Sequence, residues 1–167
     1  MKPIIAFILF GICAYIGYSK PSVIKRRLRT VDSMARNIKQ LGMMMDYKLM
    51  PIRELIGGLG DGVFWRELLK NIKANDPLAE TFLSTLEQLT KSNPQFTCLE
   101  QSDIWILSDF GATLGISDLK TQKNNIALTL ERMDERIQSL KIELKEKEKT
   151  YRALGILSGI AAAMIIW

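Results

Sequence analysis

The two ends of the chain carry no charge, and that polarity limits its folds more than any motif does. From Pro3 to Tyr18 ("PIIAFILFGICAYIGY") and again from Ala153 to Trp167 there is no Asp, Glu, Lys or Arg. Almost all of the 23 basic and 18 acidic residues lie in the middle. A chain built this way must hide two apolar ends while its middle stays in water. As helices, segments of about 16 residues reach roughly 24 Å, short of the ~20 residues that span a bilayer comfortably. Thinning of the bilayer, snorkelling or oligomerisation absorbs such a mismatch.

Three readings compete for the first segment. A cleaved signal peptide suits Lys2 and the apolar stretch, but no small-x-small cleavage site follows, and "YIGYS" is a poor substitute. Lipid attachment at Cys13 needs a small residue before it, where Ile12 stands. An uncleaved transmembrane helix over residues 1–19 is the expectation adopted. The last segment is either a buried core helix or a membrane helix. It is apolar on most faces, which leaves no amphipathic stripe to choose a side. Tyr151 and Arg152 at one end and Trp167 at the other suit interfacial anchoring. The expectation is therefore a second membrane helix over residues 151–167, flanking a helical domain over 20–150.

Charge next to these segments sets an orientation. The run "KPSVIKRRLR" carries Lys20, Lys25, Arg26, Arg27 and Arg29, and Arg36 and Lys39 follow, against one acid, Asp32. Before the last segment come Lys141, Lys145, Lys147, Lys149 and Arg152. By the positive-inside rule Lys25, Arg26, Arg27, Arg29 and Arg152 are topology charges that keep the middle domain in the cytosol. This accounts for the basic run, and for the net charge of +5, without nucleic acid. Gly155, Gly159 and Ala163 stand four apart. Small residues at that spacing let another helix approach closely, though glycine is common in membrane helices in any case. A packing face against the first helix, another copy or another subunit stays open beside that plainer reading.

The middle reads as helices throughout. Ile24, Leu28, Val31, Ala35, Ile38, Gly42 and Met45 make a heptad-like stripe on a helix that Pro21 or Ser22 suits as a start. Pro51 opens a short helix that ends at "GGLGDG". A third helix runs about 63–73, and "NDP" leads into a fourth with Leu78, Phe82, Leu86 and Leu89 inward. A fifth runs about 99–114 with Ile104, Leu107, Phe110 and Leu114 on its apolar side. "GISD" closes it and starts the last helix, with Gly as a stop and Ser or Asp as a cap. That helix places Ile126, Leu130, Met133, Ile137, Leu140 and Leu144 on one face, and its length of about 50 residues carries it into the last apolar segment. No segment alternates like a strand. The fold class is all-α, an antiparallel helical bundle flanked by an N-terminal and a C-terminal transmembrane helix.

The sequence offers little to do chemistry with. With no histidine, His-based acid–base catalysis, Ser–His and Cys–His nucleophiles and His-containing zinc sites are excluded. "GGLGDG" lacks the Lys-Ser/Thr of a phosphate loop and reads as a turn. Asp103 and Asp109, six apart, fall on different helix faces and make no acid–base pair. Met43 to Met45 read as packing, and Cys98 as a structural thiol. No catalytic residue, cofactor or metal is expected.

Two stretches carry a family likeness. "SDFGATLGISDLKTQKNNIALTLE" (Ser108 to Glu131) and "KEKEKTYRALGILSGIAAAMIIW" (Lys145 to Trp167) resemble the stage III sporulation protein AB family. Phe110, Gly111, Leu114, Gly115, Ser117, Asp118, Gln122, Ile126 and Leu128 fit the first element, and Lys149, Tyr151, Arg152, Leu154 and Gly155 the second. "MPIRELI" and "PLAETF" resemble further elements, the latter with Phe82 where Trp is usual. Ala153 and Ser158 depart from the usual Ser and Gly.

The resemblance implies a domain similar to the F domain of type II secretion platforms. It also implies a place in the mother-cell membrane around the forespore, within a transenvelope channel complex. There the protein is expected to act as a non-enzymatic platform or adaptor. Its implied partners are a hexameric secretion-type sporulation ATPase, other membrane subunits of the complex and the lipid bilayer. A membrane-tethered helical scaffold with no motor partner is the rival reading. The region Asp109, Phe110, Gly111, Leu114, Gly115, Asp118, Lys120 and Gln122 is either a structural corner or a partner contact. Asp109 and Lys120 are its better contact candidates.

Overall fold

The computed structural model describes residues 2–47, 50–59, 62–73, 76–116 and 118–166, without the side chains of 2–21, 152, 155, 156 and 158–166. Among these residues the chain is an all-α bundle of six helices: α1 Lys2–Tyr47, α2 Ile52–Ile56, α3 Val63–Asn71, α4 Leu78–Ser92, α5 Gln101–Thr113 and α6 Leu119–Ile166. Backbone packing divides it into two compact units, Arg27–Gln138 and Met1–Arg26 with Ser139–Trp167. No helix among the described residues is long and apolar enough to cross a membrane. The side chains of the first apolar segment and most of those in the last lie outside that description.

The expected helix start at Pro21 or Ser22 is not made, because α1 runs unbroken through both residues. Proline removes one i→i−4 hydrogen bond and strains the preceding turn. The 46 residues of α1 keep helix on both sides of that loss. The last helix is one 48-residue element, as its periodicity implied.

The core of the larger unit is aromatic. The Phe82 ring on α4 lies 4.7 Å from that of Phe64, 6.1 Å from Trp65 and 5.6 Å from Phe110, mostly edge to face. Phe64, Trp65 and Leu68 line one side of α3, and Leu78, Phe82, Leu86 and Leu89 one side of α4, all buried. Burying each such side chain stabilises by about 1.5–3 kcal/mol, which fixes these short helices despite their low intrinsic stability. Asn71 donates to the hydroxyl of the buried Thr85 across the α3–α4 interface at 3.0 Å. Arg53 on α2 donates to the carbonyls of Lys73 and Asp76, tying α2 to the loop between α3 and α4.

The buried stripe of α1 is shifted from the one its sequence suggests. Arg27, Val31, Met34, Ile38, Leu41 and Met45 are buried, while Leu28, Ala35 and Gly42 are half-buried. The stripe still steps by three and four, but it takes Met34 and Leu41 in place of Ala35 and Gly42. The larger side chains bury more apolar area, and they set the face. Arg27 comes inward with them.

Candidate functional site

The corner between α5 and α6 is built from local backbone requirements. Leu114 donates its N–H to the Gly111 carbonyl at 3.1 Å as α5 closes. Gly115 follows at φ +77°, in the left-handed region that ends helices and favours glycine. Asp118 then caps α6. Its carboxylate accepts from the Thr121 hydroxyl and from the backbone N–H groups of Thr121 and Lys120. The Thr121 hydroxyl contributes most and, with the backbone bonds, outweighs desolvation, so the carboxyl is held below its ordinary value. Gln122 makes the first turn's bond, N–H to the Asp118 carbonyl, at 3.0 Å.

Gly111 has a different purpose from Gly115. A Cβ there would lie 2.2 Å from Cδ1 of Phe82, inside the aromatic core. Its bare Cα is what lets α4 bring Phe82 up to Phe110. Of the eight corner residues, Phe110, Gly111, Leu114 and Gln122 are buried, and Asp109, Gly115, Asp118 and Lys120 are at the surface.

A second cluster sits where α5 starts. The Arg27 side chain on α1 is 3% exposed and that of Asp103 on α5 is 1% exposed. Arg27 Nε donates to Asp103 Oδ2 at 2.5 Å, and Arg136 Nε on α6 donates to the other oxygen at 2.8 Å. The Glu100 backbone N–H donates to Asp103 at 2.9 Å, closing the start of α5. The Glu100 carboxylate pairs with Arg27, and with Arg136 at 3.4 Å. One carboxylate thus fastens three helices. Burial alone pushes the Asp103 carboxyl up. The hydrogen bonds from Arg27, Arg136 and the Glu100 N–H, with the Arg27 charge, outweigh it and hold the carboxyl below its ordinary value. Burial likewise lowers Arg27, and its bonds and attraction to Asp103 and Glu100 reverse that, so it is raised.

The sequence reading missed this cluster because arginine and aspartate seldom occupy core positions. A signal was present. Arg27 falls on the three–four stripe of α1, and Asp103 precedes Leu107, Phe110 and Leu114 at steps of four, three and four. Of the other expected topology charges, Lys25, Arg26 and Arg29 are exposed. Gly155, Gly159, Ala163 and Arg152 have helical backbone, and the packing around all four lies outside what is described.

The outer side of α5 and α6 carries a third feature. Trp105 is 56% exposed, and Arg132 stacks over its ring at 5.2 Å from the centroid. The same guanidinium donates to Asp109 at 2.6 Å. Asp109, expected as a contact residue, is therefore the anchor of a Trp–Arg pair at the surface.

Asp103 already accepts from Arg27, Arg136 and the Glu100 N–H, and among the described residues no set of three or more His, Cys, Asp or Glu side chains is placed to hold a metal. What the arrangement supplies is a buried charge cluster that joins α1, α5 and α6 at Arg27, Asp103 and Arg136, and an outer face that offers an aromatic residue. The family model for stage III sporulation protein AB matches residues 2–167. A solved structure of a stage III sporulation protein AB aligns with a TM-score of 0.60, covering 72% of this chain and 97% of that chain at 19% identity. At that identity the likeness concerns the fold. Among curated proteins none matches.

Proposed function

The chain belongs to the stage III sporulation protein AB family, and on that premise we propose that it is a non-enzymatic platform in the mother-cell membrane around the forespore. In this reading it crosses the membrane twice, through residues 1–19 and 151–167. Its middle domain is cytosolic and engages a hexameric secretion-type sporulation ATPase, which it couples to the other membrane subunits of a transenvelope channel complex. The observation that carries the reading is the build of α1 and α6. Each has a charge-free segment at one end and core-forming side chains at the other. A domain held between two such helices is suited to passing force or position to membrane-embedded neighbours. The exposed Lys25, Arg26 and Arg29 support the orientation, since charges kept in water next to an apolar segment resist translocation.

The test is binding of the full chain in lipid nanodiscs to the sporulation ATPase. Saturable binding supports the platform. No binding at roughly 100 µM, where even a weak specific contact would register, leaves a membrane-tethered helical scaffold without a motor.

A further inference from the structure

The outer face of α5 and α6 joins exposed apolar area to unpaired acid. Trp105 on α5 and Leu128 on α6 are 56% and 45% exposed. Arg132, one helical turn beyond Leu128, reaches Trp105 and Asp109, so the two helix faces meet along this line. Asp109 pairs with that guanidinium. Glu131 and Glu135, at three and seven residues from Leu128, share its side of α6. Both are exposed and form no ion pair among the described residues. The chain as a whole is basic, at +5, yet this face is apolar at its centre and acidic at its margin.

Aromatic and arginine side chains dominate the energetics of protein contacts, and Trp105 is offered with Arg132 already held in place. A fixed aromatic loses little conformational freedom on binding. The unpaired acids select the partner's sign. We propose that this face docks a basic amphipathic helix of a protein partner, its apolar side chains on Trp105 and Leu128 and its lysines or arginines on Glu131 and Glu135. The proposal rests on the platform reading only for the identity of that partner. The face itself follows from the side chains.

Two measurements on the full chain in nanodiscs keep the two readings apart. The first titrates a synthetic leucine–lysine amphipathic helical peptide. Trp105→Ala and the double change Glu131→Lys with Glu135→Lys should each weaken its binding by about tenfold or more. The exposed Leu69→Ala on α3 should leave it unchanged. Binding should also weaken as salt rises. Absence of peptide binding, or equal binding by all variants, overturns the docking face. So does a second copy occupying it, seen as self-association of the wild type that Trp105→Ala abolishes. The second measurement repeats the series with the sporulation ATPase. If the ATPase does not bind the wild type, the platform reading fails while the peptide result still decides the face. If the ATPase binds wild type and Trp105→Ala alike, the platform stands and this face is not its contact.

Discussion

Replacing Asp103 by asparagine keeps the volume of a buried side chain and removes the charge that three helices share. Arg27, 3% exposed, would be left with Glu100, whose side chain is 65% exposed and poorly placed to compensate a core cation. Arg27 Nη2 already finds no partner among the described residues. Breaking one side of a buried ion pair costs about 3–5 kcal/mol, because the remaining charge stays desolvated. The surviving Glu100 contact argues for the lower end, about 3 kcal/mol.

For the unit Arg27–Gln138, 112 residues, the unfolding entropy is roughly 0.24 kcal/mol/K, so Tm should fall by about 12 °C. The exposed Asp109–Arg132 pair is the control. Asp109→Asn should cost about 1 kcal/mol or less, at most ~4 °C. Circular dichroism melts of the full-length variants in detergent measure both. The double change Arg27→Met with Asp103→Leu should recover part of the loss, since the buried cation goes with its partner and the half-buried Arg136 keeps only Glu100. If Asp103→Asn melts within the range of the control, the buried cluster does not hold the helices and the reasoning is wrong.

Acid should expose the same carboxylate. Its folded pKa is depressed, so its stabilising contribution is complete above the ordinary carboxylate value of about 3.9 and is lost as pH falls through the folded value. Tm against pH should therefore drop more steeply below about pH 4 in wild type than in Asp103→Asn. Gly111→Ala gains helix propensity but forces a methyl onto Phe82. A net loss of about 1–3 kcal/mol in urea unfolding is expected, and adding Phe82→Leu should relieve part of it. Replacing Lys25 and Arg29 together should blur or invert membrane orientation in a cysteine-accessibility map while leaving the melting temperature unchanged, because both are exposed.

Much of the domain was legible from spacing alone. The inward faces of α4 and α6 followed from Leu78, Phe82, Leu86 and Leu89, and from Ile126, Met133, Ile137 and Leu140, with Leu130 and Leu144 only half-buried, because repeated burial at helical spacing leaves a plain pattern. The corner was legible as well, since Gly115 needs its left-handed φ and Asp118 its cap. What stayed hidden depends on partners far away in sequence. The stripe of α1 rotated toward Met34 and Leu41, and Arg27 became a core residue only because Asp103, 76 positions on, meets it there. Gly111 read as part of a turn, and Phe82 on another helix gives it its purpose. Pro21 looked like a helix start because local rules favour it there, yet α1 continues through it.

The proposed platform role requires that the domain dock a motor. The measurement closest to that claim is the binding isotherm of the nanodisc-embedded full chain with the sporulation ATPase. Saturable binding is predicted, retained by the charge-neutral control Leu69→Ala. A flat isotherm up to roughly 100 µM ATPase, with a domain that still melts cooperatively, contradicts it.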